Sequence, residues 1–322
     1  MMQNTLPNYD LAVTTLEISL RALEPIVLPP FAGSKFHGAF GEALYEIACT
    51  RRDLTQCQPC PLRHICPFAA LYQPMLPPQL EVDSLEKPPT PLVFLTPLLE
   101  REQRLQRGNG FGFGLRVFGR AIAHLPYIVA AIERMGAIGI GKTGGRFELQ
   151  SVTSVQPFAG QSRTLRTPEH PVLVLEPLVV NAADLAPISD KIVLRLETFM
   201  HLRAAGRVVS QLHPQILIRS LQRRLSNLEQ IYGAGSSAGA NFTLLPHLAK
   251  DIQVLEQRTV FASQKRSGKG KQPVVMNGVV GYVRLAGNLG PFAGLLRYGE
   301  LVGVGKWAHF GAGQYRLERS IE

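Results

Sequence analysis

Two stretches of this chain repeat one another, and that duplication constrains the fold more than any other feature of the sequence. Residues 139–149 read GIGKTGGRFEL and residues 303–317 read GVGKWAHFGAGQYRL. Each has Gly-x-Gly-Lys, a short spacer, a second glycine cluster, then an aromatic residue and a Leu two positions apart. The second copy carries four extra residues in its spacer. Their starts lie 303 − 139 = 164 residues apart, about half of the 322-residue chain. The chain therefore reads as two related halves.

The flanks repeat as well. RAIAHLPYIVAAIERMG, before the first copy, has Ile122, Leu125, Ile128, Val129 and Ile132 at helical spacing. FAGLLRYGEL, before the second, reads as a shorter helix, and RFELQSV and QYRLERS alternate after the loops as strands do. Each half thus ends as helix, glycine loop, strand, which is the last third of a βαββαβ unit. The expected fold class is α+β, two tandem ferredoxin-like (RRM-like) domains over residues 1–165 and 190–322, joined by a Pro-bearing stretch at 157–190.

Other segments fit that plan. Residues 12–28 alternate like an opening strand, and 33–48 read as an amphipathic helix buried through Phe36, Phe40, Ala43, Leu44 and Ile47. LVFLTPLL and GFGFGLRVFG supply further strands. In the second half KIVLRLETFMHLR reads as a strand and HPQILIRSLQRRLSNLEQIYG as a helix with Ile218, Leu221, Leu225 and Leu228 on its apolar side.

Residues 136–143, GAIGIGKT, satisfy the phosphate-binding pattern G-x-x-x-x-G-K-[ST]. A working P-loop leaves a strand and opens a helix, whose N-terminus holds the phosphates. Here a helix precedes and a strand follows, and the sister loop has Glu300 and Trp307 at the required Gly and Ser/Thr positions. An NTPase reading is rejected on that ground. The loops read instead as approaching a nucleic-acid backbone through Gly303, Gly305, Gly311 and Gly313, with Lys142, Arg146, Lys306 and His309 adding contacts.

Charge agrees with a polyanionic partner. Lys and Arg exceed Asp and Glu by 34 − 24 = 10, and basic proteins gain affinity for nucleic acid by releasing condensed counterions. Arg219, Arg223 and Arg224 form a candidate phosphate-facing row on one helix. Lys265, Arg266, Lys269 and Lys271 form a basic hairpin tip. No apolar run approaches the ~20 residues that span a bilayer, and MMQNTLPNYDLAV has no signal-peptide pattern. A cytoplasmic protein with no membrane partner, monomeric or homodimeric, is the expectation.

All four cysteines fall within residues 49–66: Cys49, Cys57, Cys60 and Cys66. Cys57-x₂-Cys60 is a chelating pair and Cys66 a third corner, with Cys49 or His64 as the fourth ligand of a structural zinc ion; four thiolates equally suit an iron–sulfur cluster.

These pieces together resemble the CRISPR-associated pre-crRNA processing endoribonucleases of the RAMP superfamily. The resemblance covers nearly the whole chain. It rests on FAGSKFHGAFGEAL, CQPCPLRHICPF, FGFGLRVFGRAIAHLPYIVAAIERMGAIGIG, LETFMHLRAAGRV with the Arg-rich helix, and GYVRLAGNL with the closing GVGKWAHFGAG. Ala308 stands where a Thr is common in that last loop. The resemblance implies cleavage within CRISPR repeat RNA without a catalytic cofactor, leaving 5′-hydroxyl and 2′,3′-cyclic phosphate ends. The alternative is a non-catalytic RNA-binding subunit of a CRISPR effector complex.

Such a cut needs a base at the 2′-OH, an acid at the leaving 5′-oxygen and positive charge on the phosphorane. Among the eight histidines the family's catalytic position, at or near the first helix, lands on His37. With Ser34 as N-cap, His37 falls in the first helical turn, where the positive helix end attracts a phosphate. Gly41, one turn on, leaves room for a ligand backbone. Lys35 at the helix start and Tyr45, two turns on, complete the candidate set.

Overall fold

The computed structural model describes residues 6–76, 88–237, 240–268 and 271–319. The first compact unit, Ala12–Val180, opens with β1 (Val13–Ala22) and the short β2 (Ile26–Leu28). Leu23–Pro25 interrupt what the sequence suggests is a single strand. Helices α1 (Gly33–Ala48) and α2 (Pro67–Leu71) follow, then β3 (Leu92–Leu95), β4 (Gln103–Leu105) and β5 (Gly110–Phe118). Helix α3 (Leu125–Ile138), β6 (Phe147–Gln156) and β7 (Gln161–Arg166) complete the unit.

The main sheet is antiparallel with order β3-β5-β1-β6-β7, and β2 pairs with β4 in a separate ribbon. The first four strands of that order are the βαββαβ arrangement, with the two crossover helices on one face. Strand β1 shows why: Leu16, Ile18 and Leu20 are buried while Glu17, Ser19 and Arg21 point out, the two-residue period of a one-sided sheet. Phe36, Phe40, Ala43 and Leu44 of α1 and Leu125, Ile128 and Ile132 of α3 join those residues in one core. Ile47, expected on the buried stripe, is 39% exposed. The helical run Gly119–Ile138 is apolar enough on average to span a bilayer, but its apolar face is already spent on this core.

The second unit is built from Asn181 onward, with the described residues before Ala12. The boundary falls inside the Pro-bearing stretch, and Val13 and Val180 close the first unit with paired backbone hydrogen bonds of 2.9 and 2.8 Å. The second unit's elements are β8 (Lys191–Met200), the small ribbon β9 (Arg203–Ala204) and β10 (Arg207–Val208), α4 (Pro214–Tyr232) and α5 (Leu244–Leu248). The hairpin β11 (Gln253–Gly268) and β12 (Lys271–Ala286), then α6 (Ala293–Val302) and β13 (Tyr315–Arg319), follow. The sheet order β11-β12-β8-β13 is the same topology again. The expected tandem ferredoxin-like architecture is present.

Candidate active site

The duplication extends to single hydrogen bonds. α3 ends at Gly139 (φ 96°) and α6 at Gly303 (φ 66°), left-handed positions that glycine fills without steric cost. The N–H groups of Ile140 and Val304 donate to the carbonyls of Gly145 and Gly313 at 2.9 and 3.0 Å. The N–H groups of Lys142 and Lys306 donate to the carbonyls of Val27, in β2, and His201, directly after β8, at 3.0 and 3.1 Å. A Cβ on Gly141 would stand 2.6 Å from the Val27 oxygen, and one on Gly305 would overlap the His201 oxygen. The Gly-x-Gly-Lys spacing is thus a backbone lock between loop and sheet.

For the buried members this revises the reading of the glycines as clearance for a nucleic acid. Gly303, Gly311 and Gly313 are buried, and a Cβ on Gly313 would overlap the Val304 carbonyl. What the second loop exposes is Lys306, with Gly305, Trp307 and His309 partly open. Lys306 Nζ lies 4.7 Å above the Trp307 ring. Trp307 packs edge-on against His201 at 4.7 Å, whose Nδ1 lies 3.0 and 2.9 Å from the two oxygens of Asn277 and therefore carries the proton. His309 rests on Phe310 at 3.9 Å between centroids.

In the first loop the same cations are already engaged. Lys142 pairs with Glu102 and Arg146 with Glu24, so a phosphate there must compete with a carboxylate. Each cation favours its partner's charged form: the hydrogen bond from Lys142 holds Glu102, and that from Arg146 holds Glu24, below the usual carboxylate range. The loops share a backbone and differ in what their cations do.

On α4, Arg219 and Arg223 are exposed. Arg224 is not part of their row: it turns inward and donates from Nε to the Val302 carbonyl at 2.8 Å. Burial pushes its pKa down to about 10. It caps the C-terminal end of α6. Lys265 is exposed on the hairpin; the Arg266 and Lys271 side chains, and Lys269 altogether, lie outside the described residues.

His37 sits on α1, but not where the capping argument puts it. The helix starts at Gly33 with Ala32 as N-cap, and no side chain caps it. Ser34 is the second helical residue and is buried. His37 therefore opens the second turn, where the field of the helix end has largely faded; Lys35 stays in the first turn, which holds no acidic residue. The space over Gly41 is not free either. A Cβ there would overlap the ring of Tyr72, which uses the missing side chain to reach His37 and pack tilted against it at 4.7 Å between centroids. Phe94 meets the imidazole edge-on at 5.6 Å.

The open surface is at Gly38 instead. That residue is exposed, with nothing within 4 Å of its Cβ position, beside the half-buried His37 ring. Tyr72 was beyond sequence reasoning because it lies far along the chain, past the cysteines. The one signal pointing to it was a glycine inside a helix, a residue such positions disfavour unless something packs close.

Tyr45 belongs elsewhere on α1. It packs edge-on against Phe68 at 5.3 Å and lines a cavity of about 220 Å³ together with Cys49, Cys57, Cys60 and Cys66. Burial, reinforced by Cys49, raises its phenol above the ordinary range, and burial with three neighbouring thiols pushes Cys57 up to about 11. Neither is a base or a nucleophile near neutral pH in that state. His64 does not line the cavity; its Nε2 accepts from Arg63 Nε at 2.9 Å. Among the described residues no three His, Cys, Asp or Glu side chains stand grouped as metal ligands.

Two tandem ferredoxin-like units, each closed by a helix–glycine-loop–strand lock, define an α+β protein built on a duplicated βαββαβ plan. Residues 194–315 match the family model of the CRISPR-associated endoribonuclease Cas6, and residues 11–177 match a model described as an N-terminal domain. The Cas6 model covers 122 of the 322 residues, so the similarity to the Cas6 endoribonucleases is carried by the second half of the chain. An Archaeoglobus fulgidus protein described as uncharacterized is 24% identical over 297 residues, 90% of this chain and 92% of that one. Two solved structures share the fold. Thermus thermophilus Cas6 in its product complex has TM-score 0.56 and 16% identity over 95% of this chain and 99% of that one. A partial Cas6-RT-Cas1–Cas2 complex has TM-score 0.60 and 14% identity. Of that complex's chain the present protein spans 47%, while 98% of its own length is covered.

Proposed function

We propose that the chain cuts CRISPR repeat RNA by attack of a ribose 2′-OH on the adjacent phosphate, leaving 5′-hydroxyl and 2′,3′-cyclic phosphate ends. His37 moves the proton. The observation that carries this reading is the setting of His37, an imidazole held by Tyr72 and Phe94 beside the open surface at Gly38. A ring held by two neighbours has little entropy left to lose when a substrate arrives, which is what general acid–base catalysis asks of it.

Lys35, in the uncapped first turn of the same helix, supplies positive charge for the phosphorane, so the chemistry requires no metal ion at the phosphate. In the second unit, Lys306 with Gly305 and His309, Arg219 and Arg223, and the Lys265 hairpin contact the RNA backbone. The processed crRNA then passes to a CRISPR effector complex.

The test uses labelled repeat RNA in EDTA beside the same RNA carrying one 2′-deoxy sugar at the cut. A single cut that survives EDTA and disappears with the 2′-deoxy sugar is the expected result. A cut that needs added metal, or that ignores the missing hydroxyl, rules the mechanism out.

Gly41→Ala probes the support of His37. The added methyl must push the Tyr72 ring off its present position. Helix propensity improves by about 1 kcal/mol, so the fold should hold while the cutting rate falls about tenfold or more, through loosened positioning. Single-turnover rates and RNA affinity, measured separately, distinguish this from lost binding. An unchanged rate would show that Tyr72 does not position His37.

A further inference from the structure

The second unit's sheet, β11-β12-β8-β13, leaves one long edge open. Strand β11 has 16 residues, and among the described residues only β12 pairs with it. An edge strand offers its outward N–H and C=O groups to any strand that approaches, and soluble proteins blunt such edges with bulges, charges or short length. Here the register breaks against β12, between Val254 and Glu256 and between Arg266 and Gly268, fall at the two ends of the strand. Residues 256–266 between them form an uninterrupted ladder, about 35 Å long at ~3.4 Å per residue. The middle of that ladder is Phe261, 51% exposed, beside Val260 at 66%. Consecutive residues of a strand face opposite sides, so the edge is apolar on both faces at its midpoint.

We propose that a second copy of this chain adds to this edge, β11 antiparallel to β11, about a two-fold axis at Phe261. Three constraints set the register. An axis normal to the sheet keeps each face on its own side, so one residue must lie on the axis opposite its own copy. Centring on Phe261 uses the whole regular stretch, because its ends at 256 and 266 are equally far from 261. That register also matches every pair in kind. Val260 comes opposite Ala262, Thr259 opposite Ser263, Arg258 opposite Gln264 and Gln257 opposite Lys265; by backbone register Glu256 comes opposite Arg266, its opposite in charge. Directly opposed pairs of this sort stabilise neighbouring strands, and like charges there destabilise them. An axis on Val260 would set Phe261 against Thr259 and Ala262 against Arg258. One on Ala262 would set Phe261 against Ser263 and Val260 against Gln264, and one on Arg258 would oppose two guanidinium groups.

The neighbours of the axis suit an incoming strand. Arg258 donates along its own strand to Glu256 at 2.7 Å, so its charge is already met when a second edge arrives. Phe261 pairs with Val279 of β12, which is fully buried. The two Phe261 side chains therefore carry the apolar layer of one sheet across the axis into the other. Nothing in this interface depends on the assignment of cleavage to His37.

The full chain, free of RNA, is sedimented at about 1 to 100 μM, where modest interfaces associate. The expected mass rises with concentration from one chain to two. Phe261→Glu puts two carboxylates face to face on the axis and should hold the protein at one chain throughout; residue 261 is half exposed, so the fold should stand. Phe261→Cys reads the register itself. Opposed Cα atoms of antiparallel strands lie ~4.5–5.5 Å apart, within disulfide reach, so mild oxidation should link two chains through position 261. Ser263→Cys is the control, because its own copy would lie about 14 Å away. It should link no more than the wild type, whose four native cysteines set the background. One chain at every concentration, with Phe261→Cys linking no more than the wild type, overturns the proposal. A dimer that survives Phe261→Glu lies on another surface and overturns it as well. If the wild type stays single and Phe261→Glu weakens RNA binding, the edge belongs to RNA instead. If Phe261→Glu is insoluble, the comparison of Phe261→Cys with Ser263→Cys decides.

Discussion

His37→Ala should slow cutting of repeat RNA by about 10²- to 10⁴-fold, the range that one positioned acid or base contributes, while leaving RNA affinity within a few-fold. The fold should survive. The ring packs tilted against Tyr72 and edge-on against Phe94, contacts together worth about 1 kcal/mol beyond area burial, and the helix gains a better former. Binding should survive because the exposed cations assigned to RNA contact, Lys306, Arg219, Arg223 and Lys265, lie in the other unit. The measurement is a single-turnover rate at saturating protein, beside a binding isotherm. Cutting that persists at the wild-type rate would move the proton transfer to another group. A wild-type chain that binds and never cuts would make the variant uninformative and favour a binding subunit.

Tyr45→Phe is the internal control for that experiment. The phenol faces the thiol cavity, and its raised ionisation keeps it protonated, so removing the hydroxyl should leave the rate unchanged. If it does not, the cavity and the active site are more closely coupled than the aromatic contacts imply.

How far the sequence disclosed this arrangement depended on whether the cause was local. Strand β1 and helices α3 and α4 were legible because their period of two or 3.6 is imposed by the solvent boundary itself. On α4 all four expected core positions, Ile218, Leu221, Leu225 and Leu228, are buried. The N-terminus of α1 was misplaced because the side-chain signal at Ser34 is absent from the real cap, Ala32, whose backbone alone accepts the first bonds. Arg224 looked like part of a surface row because helical spacing cannot tell that the neighbouring helix ends within reach of its guanidinium. Tyr72 was hidden for the same reason: its partner on α1 is brought to it by tertiary packing. The four cysteines, by contrast, were visible as a group because they are crowded in sequence.

Alanine at Gly305 should lower the unfolding free energy by about 3 kcal/mol, and at Gly141 by a similar amount. Both residues have positive φ, 87° and 86°, where a Cβ costs about 1–2 kcal/mol. Both also place that Cβ against a backbone carbonyl, that of His201 or Val27. Backbone cannot rotate away as a side chain can, so the lock through Lys306 N–H or Lys142 N–H must lengthen, adding about 1 kcal/mol for a weakened hydrogen bond. Gly144 is the matched reference. Its φ is 66° but nothing lies within 4 Å of the Cβ position, so Gly144→Ala should cost only the conformational term of about 1 kcal/mol. Denaturant unfolding of the three variants separates two explanations of one motif. If the glycines serve the fold, Gly305→Ala and Gly141→Ala fall together and well below Gly144→Ala. If Gly305 is glycine to admit an RNA backbone, Gly305→Ala loses no more stability than Gly144→Ala and loses RNA affinity instead. The duplicated hydrogen bonds favour the first outcome, because Gly141 holds the same geometry beside a lysine already paired with Glu102.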